Sequence, residues 1–234
     1  MPRYIFRMTH YKNVQLHMID GVLYSRNNPM GQVQYSICYK KIVQRRETQI
    51  FTPNGQNINQ YVPFYFSPSN GMALAIHKGG VEFTAPDGTY MGQSNSDDIV
   101  LYVCDPQKVL EAGLEFWVTD IGCNSGIPPN FTNHFADLEN HVNWELFDEY
   151  PRMAKIKEIG YEGVCKYTFN RDEPPKHQNR MQERMAEFLV RDNFPIDLVE
   201  CIVTKNDNKR TEVEHCVRTS GRNIRVLTKP GCFY

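Results

Sequence analysis

In the stretch QNRMQERMAEFLVRDN, residues 178–193, one carboxylate, Glu187, stands between Ala186 and the apolar run Phe188-Leu189-Val190. A carboxylate at the mouth of a strand suits two situations. It is an exposed end paired with a neighbour such as Arg184, or it lines a cleft where a fixed negative charge stabilises a cation forming on a substrate. Other side chains invite similar questions. His10 closes the apolar run YIFRMTH, and a lone histidine there is more often structural than functional. The pair Arg45-Arg46 offers forked donors for a phosphate, or else a solvated helix face. The tyrosines of YVPFYF supply core, or flat faces for a bound ring. Residues 166–191 carry six bases and four acids interleaved with Tyr167, Phe169 and His177. That mixture suits a single nucleic-acid strand, with charges on phosphates and rings on bases, or a plain charged loop.

These residues need elements to position them. YIFRMTH reads as a first strand, and Val14, Met18 and Ile19 then fall at helical spacing until Gly21 stops the helix. QYSICYKKIVQRR is ambiguous; if helical, it places Ile37, Lys41 and Arg45 on one side. YVPFYF, DDIVLYVCD, LEFWVTD, EFLV and NIRVLTKPGCFY read as strands, and Pro106 and Gly113 bracket a helix. WELFDEYPRMAKI is helical until Pro151, and a long loop leads from residue 160 into a short helix at NRMQERMA. A strand follows PIDLV, and KRTEVEHCVRTSG forms the last helix. Strands slightly outnumber helices in mixed order, which argues an α+β fold with a largely antiparallel core.

Composition narrows the function classes. Over 234 residues, 41% apolar and 23% charged is ordinary for a folded protein. The seven cysteines are odd in number and never form C-x-x-C, which points away from a zinc site and a disulfide framework. The dinucleotide-binding G-x-G-x-x-G, the phosphate loop, G-x-S-x-G and H-E-x-x-H patterns are missing. MPRYIFRMTH has no apolar run of signal-peptide length and no segment approaches a membrane span, so a cytoplasmic location is expected. Residues 1–46 hold eight bases and one acid, while residues 87–162 hold 14 acids and four bases. Either a positive surface awaits an anion, or folding interleaves the two signs.

Taken together, YIFRMTHYKN, YVPFYFSP, WVTD, RMQERMAEFLV and the terminal KPGCFY, in that order, resemble the DarT family of DNA ADP-ribosyltransferase toxins. The resemblance runs from about residue 3 to the C-terminus and implies one ADP-ribosyltransferase domain, residues 1–234, with a substrate-recognition loop at about 145–186. It implies that NAD serves as co-substrate, that no metal is needed, and that ADP-ribose goes to thymidine in single-stranded DNA. The partner it implies is a macrodomain antitoxin (DarG-like), within a toxin–antitoxin pair. Glu187 matches the catalytic glutamate; Arg46, with Arg45 as the alternative, matches the catalytic arginine. The NAD contacts it implies are Thr9, His10, Tyr11, Asn13, Gly21, Arg46 and Tyr65; the DNA contacts are Lys166, Tyr167, Lys176, Arg180 and Arg184. The chain departs from the family at Ser69, where an arginine is frequent, at TDIGCNSG and at GCFY. Rival readings are a related transferase acting on guanosine, RNA or protein, and a nucleic-acid-binding module without catalysis.

Overall fold

The computed structural model describes residues 2–31, 33–164 and 175–234, without the Lys176 side chain. Its strands are β1 Ile5–His10, β2 Val22–Tyr24, β3 Ser36–Ile37, β4 Tyr61–Tyr65, β5 Glu82–Thr84, β6 Tyr90–Gln93, β7 Ile99–Cys104, β8 Phe116–Thr119, β9 Phe131–Thr132, β10 Ala154–Ile156, β11 Tyr161–Gly163, β12 Glu187–Arg191, β13 Asn193–Pro195, β14 Val199–Thr204 and β15 Arg225–Thr228. Its helices are α1 Val14–Asp20, α2 Lys40–Gln49, α3 Gly71–His77, α4 Pro106–Glu111, α5 Leu138–His141, α6 Glu145–Asp148, α7 Arg180–Glu183 and α8 Asp207–Thr219.

Eight strands form the main sheet in the order β15-β14-β7-β1-β4-β12-β8-β9. Every pairing in it is antiparallel except β14 with β15. The α+β expectation therefore holds. β7 is buried at all six positions, as a central strand covered on both faces must be. Successive side chains alternate between two cores. Ile5, Val100, Tyr102, Phe188 and Ile202 pack on one face, with Val14 and Met18 of α1 and Val213 and Val217 of α8. Phe6, Met8, Leu101, Val103 and Val203 pack on the other, with Ile76 of α3 and Ile156 of β10.

The sheet has a seam. β1 pairs with β7 through all six of its residues, but with β4 only at Phe6↔Tyr65. Beyond that pair the two strands part. Pro63 sits at the seam, and its carbonyl accepts from Arg7 Nη1 at 3.3 Å. In a strand the N–H and the carbonyl of one residue point to the same side, so the donor that proline lacks would also have faced the seam. No ladder bond is lost there. A cleft of 740 Å³ opens at this place.

Some elements depart from expectation. The ambiguous segment becomes helical only from Lys40. Asn70 caps α3, its side chain accepting from Ala73 N–H at 3.0 Å. The helix expected up to Pro151 is only α6, and beyond it 154–156 pairs with 161–163 as a hairpin.

Candidate active site

Period 2 in β12 decides where Glu187 points. Phe188 and Val190 enter the first core, so Glu187 and Leu189 take the opposite face. On that face Glu187 lies directly across from Tyr65 of β4. Its backbone N–H donates to Thr119 Oγ1 at 2.9 Å, which fixes the start of the strand. The carboxylate is 0% exposed. Oε1 accepts from Arg46 Nη1 at 2.9 Å and from the Cys123 N–H at 3.0 Å, and Oε2 accepts from Arg46 Nη2 at 3.0 Å. A carboxylate offers about four acceptor positions. Three are filled by Arg46 and the Cys123 N–H, the Cys123 thiol lies within hydrogen-bond reach as well, and Arg46 rather than Glu187 lines the cleft, so a ligand reaches the carboxylate only where Arg46 gives way.

Arg46 is the arginine that faces Glu187. Arg45, one residue back and turned about 100° around α2, donates instead to the carbonyls of Asn124 at 3.3 Å and Ser125 at 2.7 Å. These two carbonyls belong to the loop whose Cys123 N–H holds the same carboxylate. Burial alone would lower the Arg46 guanidinium; the adjoining Glu187 carboxylate and its hydrogen bonds reverse this, and the net shift is upward. Arg46 thus stays a cation. The Tyr65 hydroxyl is raised by burial first and by Glu187 second, so it stays protonated. Arg7 is pushed the other way, chiefly by burial.

Of the residues expected to contact NAD, Thr9, Asn13, Arg46 and Tyr65 line the cleft. His10, Tyr11 and Gly21 are not among the described residues that line it. The His10 ring stacks on Phe83 at 4.2 Å between centroids, and its Nδ1 accepts from the Lys12 N–H. Burial lowers His10 to about 4, so it is neutral at pH 7. Tyr11 lies under the Lys209 ammonium, 3.4 Å from the ring centroid. Gly21 ends α1 with φ 72°, and a Cβ there would meet Arg222 Nη2 at 2.4 Å.

The expected DNA contacts divide differently. Lys166 and Tyr167 lie outside the described residues, as does the Lys176 side chain. Arg180 and Arg184 point inward rather than toward an open groove. Arg180 is 1% exposed and pairs with Glu149. Arg184 is 0% exposed and donates to Ser67 Oγ at 3.0 Å and to the carbonyls of Ser69, Val164 and Leu146 at 2.8, 3.1 and 3.3 Å. Both guanidinium groups tie the segment before β12 to its surroundings, and neither is placed to meet a phosphate here.

Sequence reasoning missed three groups. Arg7, a charge inside an otherwise apolar strand, carried a signal in that very mismatch. Thr119 lay within the WVTD string without a role attached to it. Cys123 acts first through its backbone N–H, which leaves no trace in residue type. The cleft wall carries Arg7, Arg26, Lys40 and Arg46 against Glu82, so it favours an anionic ligand. Opposite signs do interleave elsewhere, as where Arg3 pairs with Asp148 at 2.8 Å and Glu139 at 3.2 Å.

The family model described as "ssDNA thymidine ADP-ribosyltransferase, DarT" matches residues 6–234. A DNA ADP-ribosyl transferase of Thermus sp. strain 2.9 is 28% identical over 236 residues, covering 100% of this chain and 97% of the relative. Thermus sp. 2.9 DarT solved with ADP-ribosylated ssDNA superposes with a TM-score of 0.76 at 24% identity, over 100% of this chain and 97% of that one. The same protein solved with NAD+ gives 0.73 at 23%, over 100% and 98%. Thermosipho africanus DarTG, solved with ADP-ribose, gives 0.65 at 16%, over 99% of this chain and 51% of that one. These superpositions show a common fold, and the family match across nearly the whole length establishes that the chain belongs to the DarT family of ssDNA thymidine ADP-ribosyltransferases.

Proposed function

We propose that this protein splits NAD in the cleft between β1 and β4 and transfers the ADP-ribose to thymidine in single-stranded DNA, with Glu187 and Arg46 as the catalytic pair. The observation that carries the assignment is the two-pronged Arg46–Glu187 contact on the face of β12 that Tyr65 shares. In the first half of the reaction the bond from the ribose anomeric carbon to the nicotinamide nitrogen breaks. Its electron pair leaves with nicotinamide, and positive charge spreads over the ribose carbon and ring oxygen. The Glu187 carboxylate, held by the Cys123 N–H, accepts from a ribose hydroxyl at Oε2 as Arg46 gives way there, and faces the forming cation. A preorganised charge in a water-poor site is worth more there than in water. The Tyr65 ring offers a flat face to nicotinamide, and Arg7, Arg26 and Lys40 suit the pyrophosphate.

In the second half, the thymine ring nitrogen gives up its proton to solvent and bonds to the anomeric carbon. Arg46 lines the cleft and remains cationic, so it serves by stabilising the deprotonated ring rather than by taking the proton. The ribose displaces part of the Arg46 grip on Glu187, which frees a guanidinium edge for the base. An unpaired strand fits this reach, because a stacked base hides its edges.

Single-domain organisation over residues 1–234, recognition by residues 145–186, a cytoplasmic site of action and a macrodomain antitoxin as partner belong to the same reading. The match spans 51% of the DarTG chain, which leaves half of that protein for a further unit. Among the described residues no helix is long and apolar enough to cross a membrane.

The test is mass spectrometry of a single-stranded oligonucleotide pool after incubation with the protein and NAD. The wild type is expected to add one ADP-ribose to strands that contain thymidine, and Glu187→Ala is expected to add none. Modification by Glu187→Ala at the wild-type rate would show that the carboxylate is misassigned. Labelling of RNA, guanosine-only strands or protein in its place would shift the substrate.

A further inference from the structure

We propose that Gln34 determines ligand specificity in the cleft: its side-chain N–H, aimed by His17 and Tyr102 behind it, donates to an acceptor oxygen of the bound ligand. The inference rests on the cleft being the NAD and thymidine site.

Gln34 lines the cleft together with Arg7, Thr9 and Asn13. The backbone beside it is fixed. Asn13 Oδ1 accepts from the Tyr35 N–H at 2.9 Å, and Asn13 Nδ2 donates to the Tyr35 carbonyl at 2.9 Å and to Thr9 Oγ1 at 3.1 Å. The side chain is fixed as well. Gln34 Oε1 lies 3.0 Å from His17 Nε2, and His17 Nδ1 lies 2.9 Å from the Tyr102 hydroxyl. His17 and Tyr102 are both buried.

Hydrogen-bond accounting chooses between the two ways of placing protons along this chain. In the first, the Tyr102 hydroxyl donates to Nδ1, Nε2–H donates to Gln34 Oε1, and every buried donor has an acceptor. In the second, the glutamine amide is turned over and donates to Nε2, and Nδ1–H donates to Tyr102. The Tyr102 proton then has no acceptor among the described residues, a costly outcome for a fully buried hydroxyl. The first arrangement is the stable one. Burial keeps His17 neutral, with its pKa lowered to about 4, as either arrangement demands.

The consequence is directional. With Oε1 committed to His17, Gln34 turns its two amide N–H groups to the cleft, and no described residue accepts from them. They suit an oxygen acceptor: a carboxamide, hydroxyl or phosphate oxygen of the dinucleotide, or a ring carbonyl of thymine. They disfavour a ligand that puts an amino group at the same place, because a buried donor facing a donor is left unpaired. His17 and Tyr102 are positioning residues, since they act through Gln34.

The experiment measures the Kd for NAD by calorimetry, and kcat and KM for a thymidine oligonucleotide, in the wild type, Gln34→Leu, Gln34→Glu and Tyr102→Phe. Thermal midpoints confirm folding; Gln34 lies in a half-buried loop, so its variants are expected to fold. Gln34→Leu should weaken one of the two constants by about tenfold, the loss of one hydrogen bond. Gln34→Glu should weaken it further, because it faces the acceptor with a negative charge. Tyr102→Phe frees His17 to change tautomer and Gln34 to turn over, so it should shift the same constant in the same direction with kcat little changed. A shift in the NAD Kd assigns the contact to the dinucleotide, and a shift in oligonucleotide KM at constant NAD Kd assigns it to the base. Both constants within about twofold of wild type in Gln34→Leu and Gln34→Glu overturn the proposal, as does a loss confined to kcat. A wild type that binds NAD but leaves thymidine unmodified counts against the proposed reaction, and the NAD arm still decides the role of Gln34.

Discussion

Arg184 and Glu187 stand three residues apart, and both are fully buried, yet their surroundings differ in kind. Arg184 is met by a hydroxyl, three carbonyl oxygens and the Phe147 ring, 4.6 Å from its guanidinium carbon. Those partners are neutral and come from several elements, and burial lowers its pKa. Glu187 is met by one opposite charge and by the N–H and thiol of Cys123, and its charged partner Arg46 is 12% exposed on the cleft side. An ion ringed by fixed neutral dipoles is a strut. An ion held by a partner that faces a cleft has a ligand position available when that partner gives way. Residue type alone does not tell the two apart, and for that reason the arginines before β12 suggested a DNA surface.

Breaking Arg184 should have the largest effect. Arg184→Leu leaves the Ser69 and Val164 carbonyls and the Ser67 hydroxyl without their donor and is expected to cost about 3–5 kcal/mol of stability, because each buried acceptor stripped of its donor costs about 1–3 kcal/mol. Urea unfolding measures it, and activity per folded molecule should survive. Glu187→Gln should invert that pattern. It is expected to lower transfer by about 10²–10³-fold while shifting the thermal midpoint less than Arg184→Leu, because Arg46 regains water from the cleft. Equal midpoint losses in both variants would erase the distinction drawn here.

The buried histidines sharpen the comparison, since they too are held in neutral form. His10 and His17 each have a pKa lowered from 6.5 to about 4. Below pH 6.5 the unfolded chain takes up protons that the folded chain refuses until about pH 4. Stability is therefore full above 6.5 and is lost as pH falls from 6.5 toward 4. The expected loss for His17 is about 2 kcal/mol at pH 5, read from urea midpoints at pH 7 and pH 5. A flat profile would mean that these rings are not buried as neutral groups. The smallest effect is expected of Thr119→Val, which removes the acceptor for the Glu187 N–H at the start of β12. It should cost about 1 kcal/mol and lower kcat more than it raises KM, since it loosens the carboxylate rather than the ligand.

Much of this was legible in the chain, for reasons that the structure makes plain. β7 and β12 were readable because a buried strand needs an unbroken apolar run, and α4 because Pro106 and Gly113 mark its ends. Glu187 stood out as a charge that the apolar run did not require. The seam was not legible, because it depends on which strands pair and for how far, and only Pro63 hints at it. The Cys123 N–H was hidden because a backbone donor has no letter. The small strands β3, β5 and β6 were missed because two to four residues are too few to show a period. His10 was read correctly as a strand end, but its ring turned to Phe83, a partner 73 residues away that only folding could supply.

The central claim is that the Glu187 carboxylate meets the ribose whose glycosidic bond breaks. A crystal structure of the protein with an NAD analogue that resists cleavage tests it most directly. The account predicts a ribose hydroxyl within about 3 Å of Glu187 Oε2, the Cys123 N–H still on Oε1, and Arg46 released from at least one of its two contacts. An analogue bound with its ribose away from β12, and the Arg46–Glu187 fork unchanged, would contradict it.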